Sequence, residues 1–214
     1  MIRRNTSNEG SARSDGMMIV AVMFIAAFTF IAWTTNPVYT GIGVGDRVEE
    51  LKGQMTTDGV TWTDFDLSDN YDEMWSEGEP GTWTMLEFMD TNCGACINAA
   101  PKITDYARVW TGDNPKKPIP ENITVEFVAV SISLWDEDTA GKNYGRDEIV
   151  SFKEEYNHDF AYVDMQDNSH QEKWGNFGTP TYFLIAPNGI IKYATPEGNS
   201  ESIWEVMDRE ILGA

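Results

Sequence analysis

The sequence contains an apolar run of 17 residues, from Met17 to Trp33, that carries no charged side chain. The run reads MMIVAVMFIAAFTFIAW, and Asp46 is the first charged residue after it. At a rise of about 1.5 Å per residue, a helix of this length just spans a hydrocarbon core about 30 Å thick. The run therefore predicts a single transmembrane helix, which we assign to residues 17–35.

The charges around this run predict its orientation. Arg3, Arg4 and Arg13 precede it, and no Lys or Arg lies in the run or just after it. Because basic residues are retained on the cytoplasmic side, residues 1–16 are expected to form a cytoplasmic tail. The sequence thus predicts a single-pass protein of the cell membrane whose remaining chain is extracytoplasmic.

A cleaved signal peptide is the alternative to an uncleaved anchor. It requires a shorter apolar region followed by a small-x-small cleavage site, and residues 32–37, AWTTNP, provide only a poor one. No cysteine follows the run closely, which excludes a lipid-anchored form. An uncleaved anchor fits better than a signal peptide or a buried core helix. The glycine-containing segment 36–55 then predicts a linker to the exported domain.

The rest of the chain, 56–214, has no repeat and no low-complexity tract, and it is predicted to form one domain. Strand-like runs alternate with helical ones, and Pro187-Asn188-Gly189 indicates a hairpin turn near the end. Strands are predicted at 82–89, 123–132, 160–163, 181–186 and 190–193, and helices at 95–110, 146–156, 168–174 and 200–212. This order predicts an α/β fold in which helices flank a mixed sheet on both faces.

The composition restricts the partners of this domain. With 35 acidic against 15 basic side chains, the formal net charge is −20, and such a surface repels nucleic-acid phosphates and anionic headgroups. Nucleic acid is therefore not an expected partner. Aromatic residues make up 12% of the chain, which fits a packed domain and not a disordered acidic tail.

The chain has only two cysteines, Cys93 and Cys96, three positions apart. They form no disulfide framework, and the ring that they close is too short to restrict the unfolded chain much. They follow an apolar strand and open a helix, where N–H groups and the helix dipole stabilise a thiolate on Cys93. This arrangement favours a redox pair in which Cys93 attacks and Cys96 is the more buried, resolving thiol.

A zinc site is the main alternative for a pair of this spacing. Zinc requires about four ligands, and the only other soft candidates, His158 and His170, form no second short-spaced pair. The sequence therefore predicts neither a metal nor another cofactor.

Several motifs together resemble the thioredoxin superfamily, and within it the membrane-anchored TlpA/ResA branch of extracytoplasmic thiol-disulfide oxidoreductases. They are the CGAC motif after an apolar strand, Pro101 five residues after the second cysteine, and the stretch GTPTYFLI at 178–185 before the Pro-Asn-Gly turn. The likeness runs from about Val60 to the C-terminus. It implies an enzyme that exchanges electrons with protein thiols and disulfides and is recharged by a membrane electron-donor protein.

The resemblance also implies roles for four residues near the cysteines. Thr179-Pro180 is expected to be a cis peptide that faces the disulfide and leaves the Thr179 backbone free to pair with a substrate chain. Gly94 and Ala95, between the two cysteines, are expected to contact the substrate. The four residues together define the predicted substrate-binding surface.

Glu87 lies six residues before Cys93, where thioredoxins carry a buried acid beneath the active site. A charged side chain within the apolar strand TMLEFM is unfavourable unless it has a function. As a carboxyl with a raised pKa, it is expected to pass a proton to or from Cys96 during exchange. The alternative is that Glu87 points from the strand into solvent.

Three departures from the family pattern concern substrate preference and leave the exchange chemistry intact. Asn92 stands where a tryptophan usually precedes the first cysteine, Met89 replaces a second aromatic residue, and Ala99 replaces an acid that some members carry. Gly94-Ala95 provides no histidine to stabilise the thiolate, which favours a reductant over an oxidant.

Three other functions use related folds. A peroxiredoxin requires a threonine and an upstream proline where this chain has Asp90 and Leu86. A copper-delivery protein of the Sco type has three residues between its cysteines and not two. A binding or scaffold module that keeps the fold without catalysis is the remaining alternative to an enzyme.

Overall fold

The computed structural model describes residues 9–34, 38–112, 117, 119–136, 138–195 and 201–213. The chain divides into two compact units, Met1–Val38 and Tyr39–Ala214. The described part of the first unit is one helix, α1, at Glu9–Thr34. Within it, Asp15–Ala32 is long and apolar enough to cross a membrane, and its side chains are exposed along the whole stretch. The helix takes in the predicted span except its last residue, which lies outside the described residues.

The second unit is built on a mixed sheet. Its strands are β3 Lys52–Thr56, β4 Thr63–Asp66, β5 Gly81–Met89, β6 Ile123–Ile132, β7 Ala161–Met165, β8 Thr181–Ile185 and β9 Ile191–Ala194, and two short strands, β1 Thr40–Gly41 and β2 Arg47–Val48, pair separately. The strand order is β4-β3-β7-β6-β5-β8-β9. Strands β5, β6 and β7 are parallel, and the outer strands are antiparallel to their neighbours.

Helices cover both faces of this sheet. The described ones are α2 Gly94–Trp110, α3 Arg146–Glu155, α4 Gln171–Trp174 and α5 Ile203–Leu212. Apolar residues of α2, α3 and α5 pack with one set of strand side chains, and Trp174 of α4 packs with the other set. A mixed sheet with helices on both faces confirms the predicted α/β fold class.

Two elements illustrate how local sequence sets their ends. Strand β6 has the predicted bounds, because its apolar run is almost continuously buried. Helix α5 begins later than predicted, since Ser202 caps it: the Ser202 hydroxyl accepts the Glu205 N–H at 3.4 Å, and the Glu205 carboxylate accepts the Ser202 N–H at 2.7 Å. This capping box fixes the start of α5 at Ile203, directly after Ser202.

The segment predicted as a linker, 36–55, belongs largely to the folded unit, which begins at Tyr39. Strand β3 starts within it and pairs with β7. Gly53 faces β7 so closely that a Cβ there would lie 2.9 Å from Val163 Cγ1. The glycine at this position permits close strand packing, whereas the sequence pattern had indicated a flexible tether.

The two cysteines lie at the carboxyl edge of the parallel strands. Strand β5 ends at Met89, and α2 begins at Gly94, so a short connection carries the chain from the centre of the sheet into the helix. Sites in α/β sheets form at this edge, where loops from neighbouring strands meet.

Candidate active site

Cys93 occupies the N-cap position of α2, with an extended backbone at φ −83° and ψ 119°. Its N–H donates to the Asp90 carbonyl at 3.0 Å, and its own carbonyl accepts the Ile97 N–H at 3.0 Å. The unpaired N–H groups of the first helical turn therefore converge on the Cys93 sulfur, as the sequence predicted.

The loop before β8 meets Cys93 from the opposite side. The Cys93 thiol donates to the Thr179 carbonyl, with 3.4 Å between Sγ and O. The Thr179–Pro180 peptide bond is cis, as the family resemblance implies. When Cys93 is in a disulfide it has no proton to donate, so the Thr179 carbonyl becomes available to accept an N–H from another chain.

The environment of Cys93 favours its thiolate. Burial by itself raises the pKa of Cys93, but the Thr179 side chain and the N–H groups of Cys96 and Ala95 outweigh burial, and the pKa is lowered from its ordinary value. Cys93 is therefore the better nucleophile of the pair.

Cys96 lies one turn further into α2 and is only 1% exposed. Burial raises the pKa of its thiol far above the ordinary value, and the nearby Cys93 sulfur adds to this effect. Both cysteines are free thiols. The two sulfurs thus differ in the direction expected of an attacking and a resolving thiol.

Gly94 and Ala95 lie between them and are exposed. A Cβ added at Gly94 meets no atom within 4 Å. Ile97, which follows Cys96 in α2, is also partly accessible, with 38% of its surface exposed. The two residues that the sequence assigned to substrate contact are therefore on an open surface beside Cys93.

Glu87 points into the protein and not into solvent. It is 3% exposed, and burial raises the pKa of its carboxyl to about 8, although a hydrogen bond from the Tyr182 hydroxyl opposes the shift. The negative charge of a Cys93 thiolate raises this pKa further. Near neutral pH, Glu87 is mainly a neutral acid at the base of the site.

Two tyrosines beside Glu87 were not predicted from the sequence. The pKa values of Tyr182 and Tyr162 are raised first by burial and then by the charges of Glu87 and Cys96. The carboxyl and the resolving thiol therefore lie around the same two phenols. Their placement follows from strand pairing, which no local motif reveals.

Asp90 fixes the segment before the cysteines, and its role was also missed. Its side chain is fully buried and accepts the Asn92 N–H at 2.6 Å, the Leu134 N–H at 2.8 Å and the Tyr144 hydroxyl at 2.9 Å. It thereby ties the cysteine loop to a segment 44 to 54 residues later. An acid between an apolar strand and the cysteines was the available signal in the sequence.

Asn92 stands where the proteins that the sequence resembles usually carry a tryptophan, and it is hydrogen-bonded to the segment that contains Lys142 and Asn143. Its Nδ2 donates to the Asn143 carbonyl at 2.8 Å, and its Oδ1 accepts the Asn143 N–H at 3.2 Å. Lys142 Nζ donates to the Asn92 carbonyl at 3.1 Å and lies 3.9 Å from the centre of the Trp135 ring. Asn92 therefore holds residues 142–143 against the segment that precedes Cys93.

The structure offers no metal site among the residues it describes: no three His, Cys, Asp or Glu side chains are grouped to hold an ion. His158 is buried beside Tyr162, and His170 is buried beside Phe88 and Phe177. Each histidine is thus packed into the core separately.

Solved structures share this architecture. The thioredoxin domain of a thiol-disulfide oxidoreductase from Bacteroides vulgatus is similar over 80% of this chain and 99% of its own, with a TM-score of 0.54 and 14% identity. The chain has the thioredoxin fold. A protein named as the thiol:disulfide interchange protein DsbE from Chlorobium tepidum is similar over 80% of this chain and 99% of its own, with a TM-score of 0.53 and 17% identity.

An uncharacterised conserved protein from Geobacillus kaustophilus also has this fold, with a TM-score of 0.58, 13% identity, and coverage of 80% of this chain and 84% of its own. No protein-family model matches the chain. No curated protein matches it either. At these identities the likeness establishes the fold, and the activity has to be argued from the cysteines and their surroundings.

Proposed function

We propose that this chain is a membrane-anchored thiol-disulfide oxidoreductase that exchanges electrons with protein disulfides through Cys93 and Cys96. The observation that carries the proposal is the contact of the Cys93 sulfur, at the start of α2, with the Thr179 carbonyl of the loop opposite. A helix N-terminus stabilises the thiolate, and the carbonyl provides an edge for a substrate backbone.

The reaction begins when the Cys93 thiolate attacks one sulfur of a substrate disulfide. A mixed disulfide forms, and the other substrate sulfur leaves as a thiolate and takes up a proton. Cys96 then loses its proton and attacks the Cys93 sulfur, which releases the second substrate thiolate and closes the Cys93–Cys96 disulfide. Two electrons pass to the substrate.

Glu87 serves the step at Cys96. The Cys96 thiol is buried, so its proton has to move to a nearby base before the sulfur can attack. An ionised Glu87 accepts this proton, and a protonated Glu87 returns it when a reductant reopens the disulfide. A pKa of about 8 leaves both forms accessible around neutral pH, which is the condition for transfer in both directions.

The substrate binds beside Cys93. The Thr179 backbone pairs with an extended segment of the client, Pro180 shapes that edge, and Gly94 and Ala95 pass beneath it. The open surface at Gly94 supports this assignment.

Helix α1 anchors the enzyme in the cell membrane with its N-terminus in the cytoplasm and the domain outside. Its apolar stretch and the arginines before it support this topology. We infer that the enzyme works as a reductant and is recharged by a membrane electron-donor protein that supplies two electrons, since Gly94-Ala95 contains no histidine to favour the dithiol form.

The proposal is tested by reduction of insulin with dithiothreitol as the electron source, using full-length protein in detergent. The wild type is expected to accelerate the reduction, and Cys93→Ser is expected to abolish the acceleration. Val60→Ser, at a residue that is 82% exposed, is the control and retains activity. A wild type no faster than dithiothreitol alone would instead indicate a binding or scaffold module.

A further inference from the structure

His158 is a buried titratable residue that the exchange reaction does not use. It lies between α3 and β7 and is 3% exposed. Its Nδ1 is 2.6 Å from the Tyr162 hydroxyl oxygen, and its Nε2 is 3.0 Å from the Ala100 carbonyl oxygen. Ala100 belongs to α2, four residues after Cys96. His158 therefore connects the active-site helix to a phenol near Glu87.

The Ala100 carbonyl determines which ring nitrogen of His158 carries the proton. A carbonyl oxygen can only accept a hydrogen bond, so Nε2 is the protonated nitrogen. Burial lowers the pKa of His158 to about 4, and the ring is neutral, which leaves Nδ1 as an acceptor. The Tyr162 hydroxyl consequently donates its one proton to His158.

Strand register brings Tyr162 to the same row of the sheet as Glu87. Glu87 is paired with Tyr182 on one side and with Ala129 on the other, and Ala129 is paired with Tyr162. Side chains paired in this way project from the same face of the sheet. Because Ala129 has only a methyl group, it leaves the space between Glu87 and Tyr162 free of a bulky side chain.

The two tyrosines are thus in different hydrogen-bonding states. The Tyr182 hydroxyl donates to the Glu87 carboxyl and favours its ionised form. The Tyr162 hydroxyl donates its one hydrogen bond to His158 Nδ1, so it cannot donate to Glu87 at the same time. A second phenol donor would stabilise the carboxylate further.

We propose that His158 is a positioning residue that engages the Tyr162 hydroxyl and denies Glu87 a second phenol donor, so that the Glu87 carboxyl retains the proton that it exchanges with Cys96 in both directions of the reaction. This inference rests on the proposed function for its catalytic meaning. Among the residues that the structure describes, the other titratable groups that act on Glu87 or Tyr162 are Tyr182, Cys93 and Cys96, and Lys153 Nζ lies 5.8 Å from the centre of the Tyr162 ring. Lys153, which donates to the His158 and Phe160 carbonyls, and Asp159 act on His158 itself.

The test measures the titration of Glu87 directly. Full-length protein in detergent micelles is labelled with ¹³C at the glutamate carboxyl, and the Glu87 signal is assigned as the one missing from Glu87→Gln. His158→Phe keeps a ring between its neighbours and frees the Tyr162 hydroxyl. We expect the pKa of Glu87 to fall by about one unit in this variant, the effect of one added hydrogen bond to a carboxylate.

Two further variants separate positioning from a general packing effect. In His158→Phe with Tyr162→Phe no phenol is freed, and the pKa of Glu87 is expected to return towards the wild-type value. His158→Asn keeps an acceptor near the place of Nδ1 and is expected to shift the pKa less than His158→Phe. An unchanged pKa in His158→Phe, or the same fall in the double variant, would overturn the proposal.

A measurement on the wild type guards against variants that do not fold. The ¹⁵N chemical shifts of the His158 ring are expected to report a neutral ring with the proton on Nε2 at pH 7. A proton on Nδ1, or a charged ring, would contradict the proposal. None of these readouts requires exchange activity, so failure of the insulin assay and failure of this inference are distinguishable.

Discussion

Glu87 and Tyr182 face each other across the antiparallel strands β5 and β8, and the tyrosine hydroxyl donates to the glutamate carboxyl. The pair places the ionisable Glu87 carboxyl in the centre of the sheet, where the single hydrogen bond from Tyr182 compensates only part of the cost of burying a carboxylate. Burial therefore dominates the titration of Glu87. The raised pKa of Glu87 therefore affects both the exchange reaction and the stability of the domain.

The first prediction concerns stability. In the unfolded chain the Glu87 carboxyl ionises near pH 4.5, whereas in the folded chain it keeps its proton up to about pH 8. The folded state binds more protons between these values, so stability falls as the pH rises through this window. Glu87→Gln is expected to remove that loss and to be more stable than the wild type by up to about 5 kcal/mol at pH 8. Urea unfolding at several pH values measures the difference, which should vanish below about pH 4.

The second prediction concerns the rate of exchange. Glu87→Gln cannot carry the Cys96 proton, and it is expected to slow the closing of the Cys93–Cys96 disulfide about tenfold to a hundredfold. Glu126→Gln, at a half-buried acid of the neighbouring strand β6 whose pKa is also raised by burial, is the matched control. Stopped-flow measurement between about pH 6 and 9 compares the three proteins. Equal rates for Glu87→Gln and the wild type would exclude the proton transfer.

The third prediction assigns the two sulfurs. Cys96→Ser retains the attacking thiol but cannot resolve the mixed disulfide, so client proteins should remain bound to Cys93. Cys93→Ser should trap none, because the pKa of Cys96 is raised and its thiol is buried. Mass spectrometry of the trapped species identifies the linked cysteine. Clients attached to Cys96 and none to Cys93 would reverse the assignment.

The sequence was informative where a contact is local. The continuous apolar run of β6 and the cysteine pair at the start of α2 defined the centre of the fold and the reactive sulfurs, because strand burial and helix N-termini depend on neighbouring residues. The placement of Tyr162 on the same side of the sheet as Glu87 depends on the register of the three strands β5, β6 and β7. The hydrogen bonds of Asp90 reach residues more than 40 positions away. Neither leaves a periodic signal. The glycines of residues 36–55 led to the wrong prediction of a flexible linker, because glycine occurs both in flexible segments and where two strands pack closely, as at Gly53.

The fourth prediction concerns the Asp90 side chain. Asp90→Asn keeps the size of the side chain but replaces one acceptor oxygen with an amide NH₂ group, which can only donate, so at least one of the donors from Asn92, Leu134 and Tyr144 loses its partner. We expect a loss of about 1–3 kcal/mol in the free energy of unfolding, together with slower exchange as the cysteine loop loosens. Asp105→Asn, at an exposed position of α2, is the control for a lost charge. Unchanged stability and exchange in Asp90→Asn would show that these hydrogen bonds do not hold the loop.

The last prediction concerns topology. If Arg3, Arg4 and Arg13 hold the N-terminus in the cytoplasm, protease added outside intact cells should release fragments of the domain and leave a tag fused before Met1 protected. The protected fragment should include α1, because a helix within the bilayer is shielded from the protease. Intact-mass measurement of the purified protein tests the anchor separately, and a mature N-terminus near Thr35 would identify a cleaved signal peptide. Complete protection of the domain would place it in the cytoplasm, where its cysteines would meet a different set of clients and a more reducing environment.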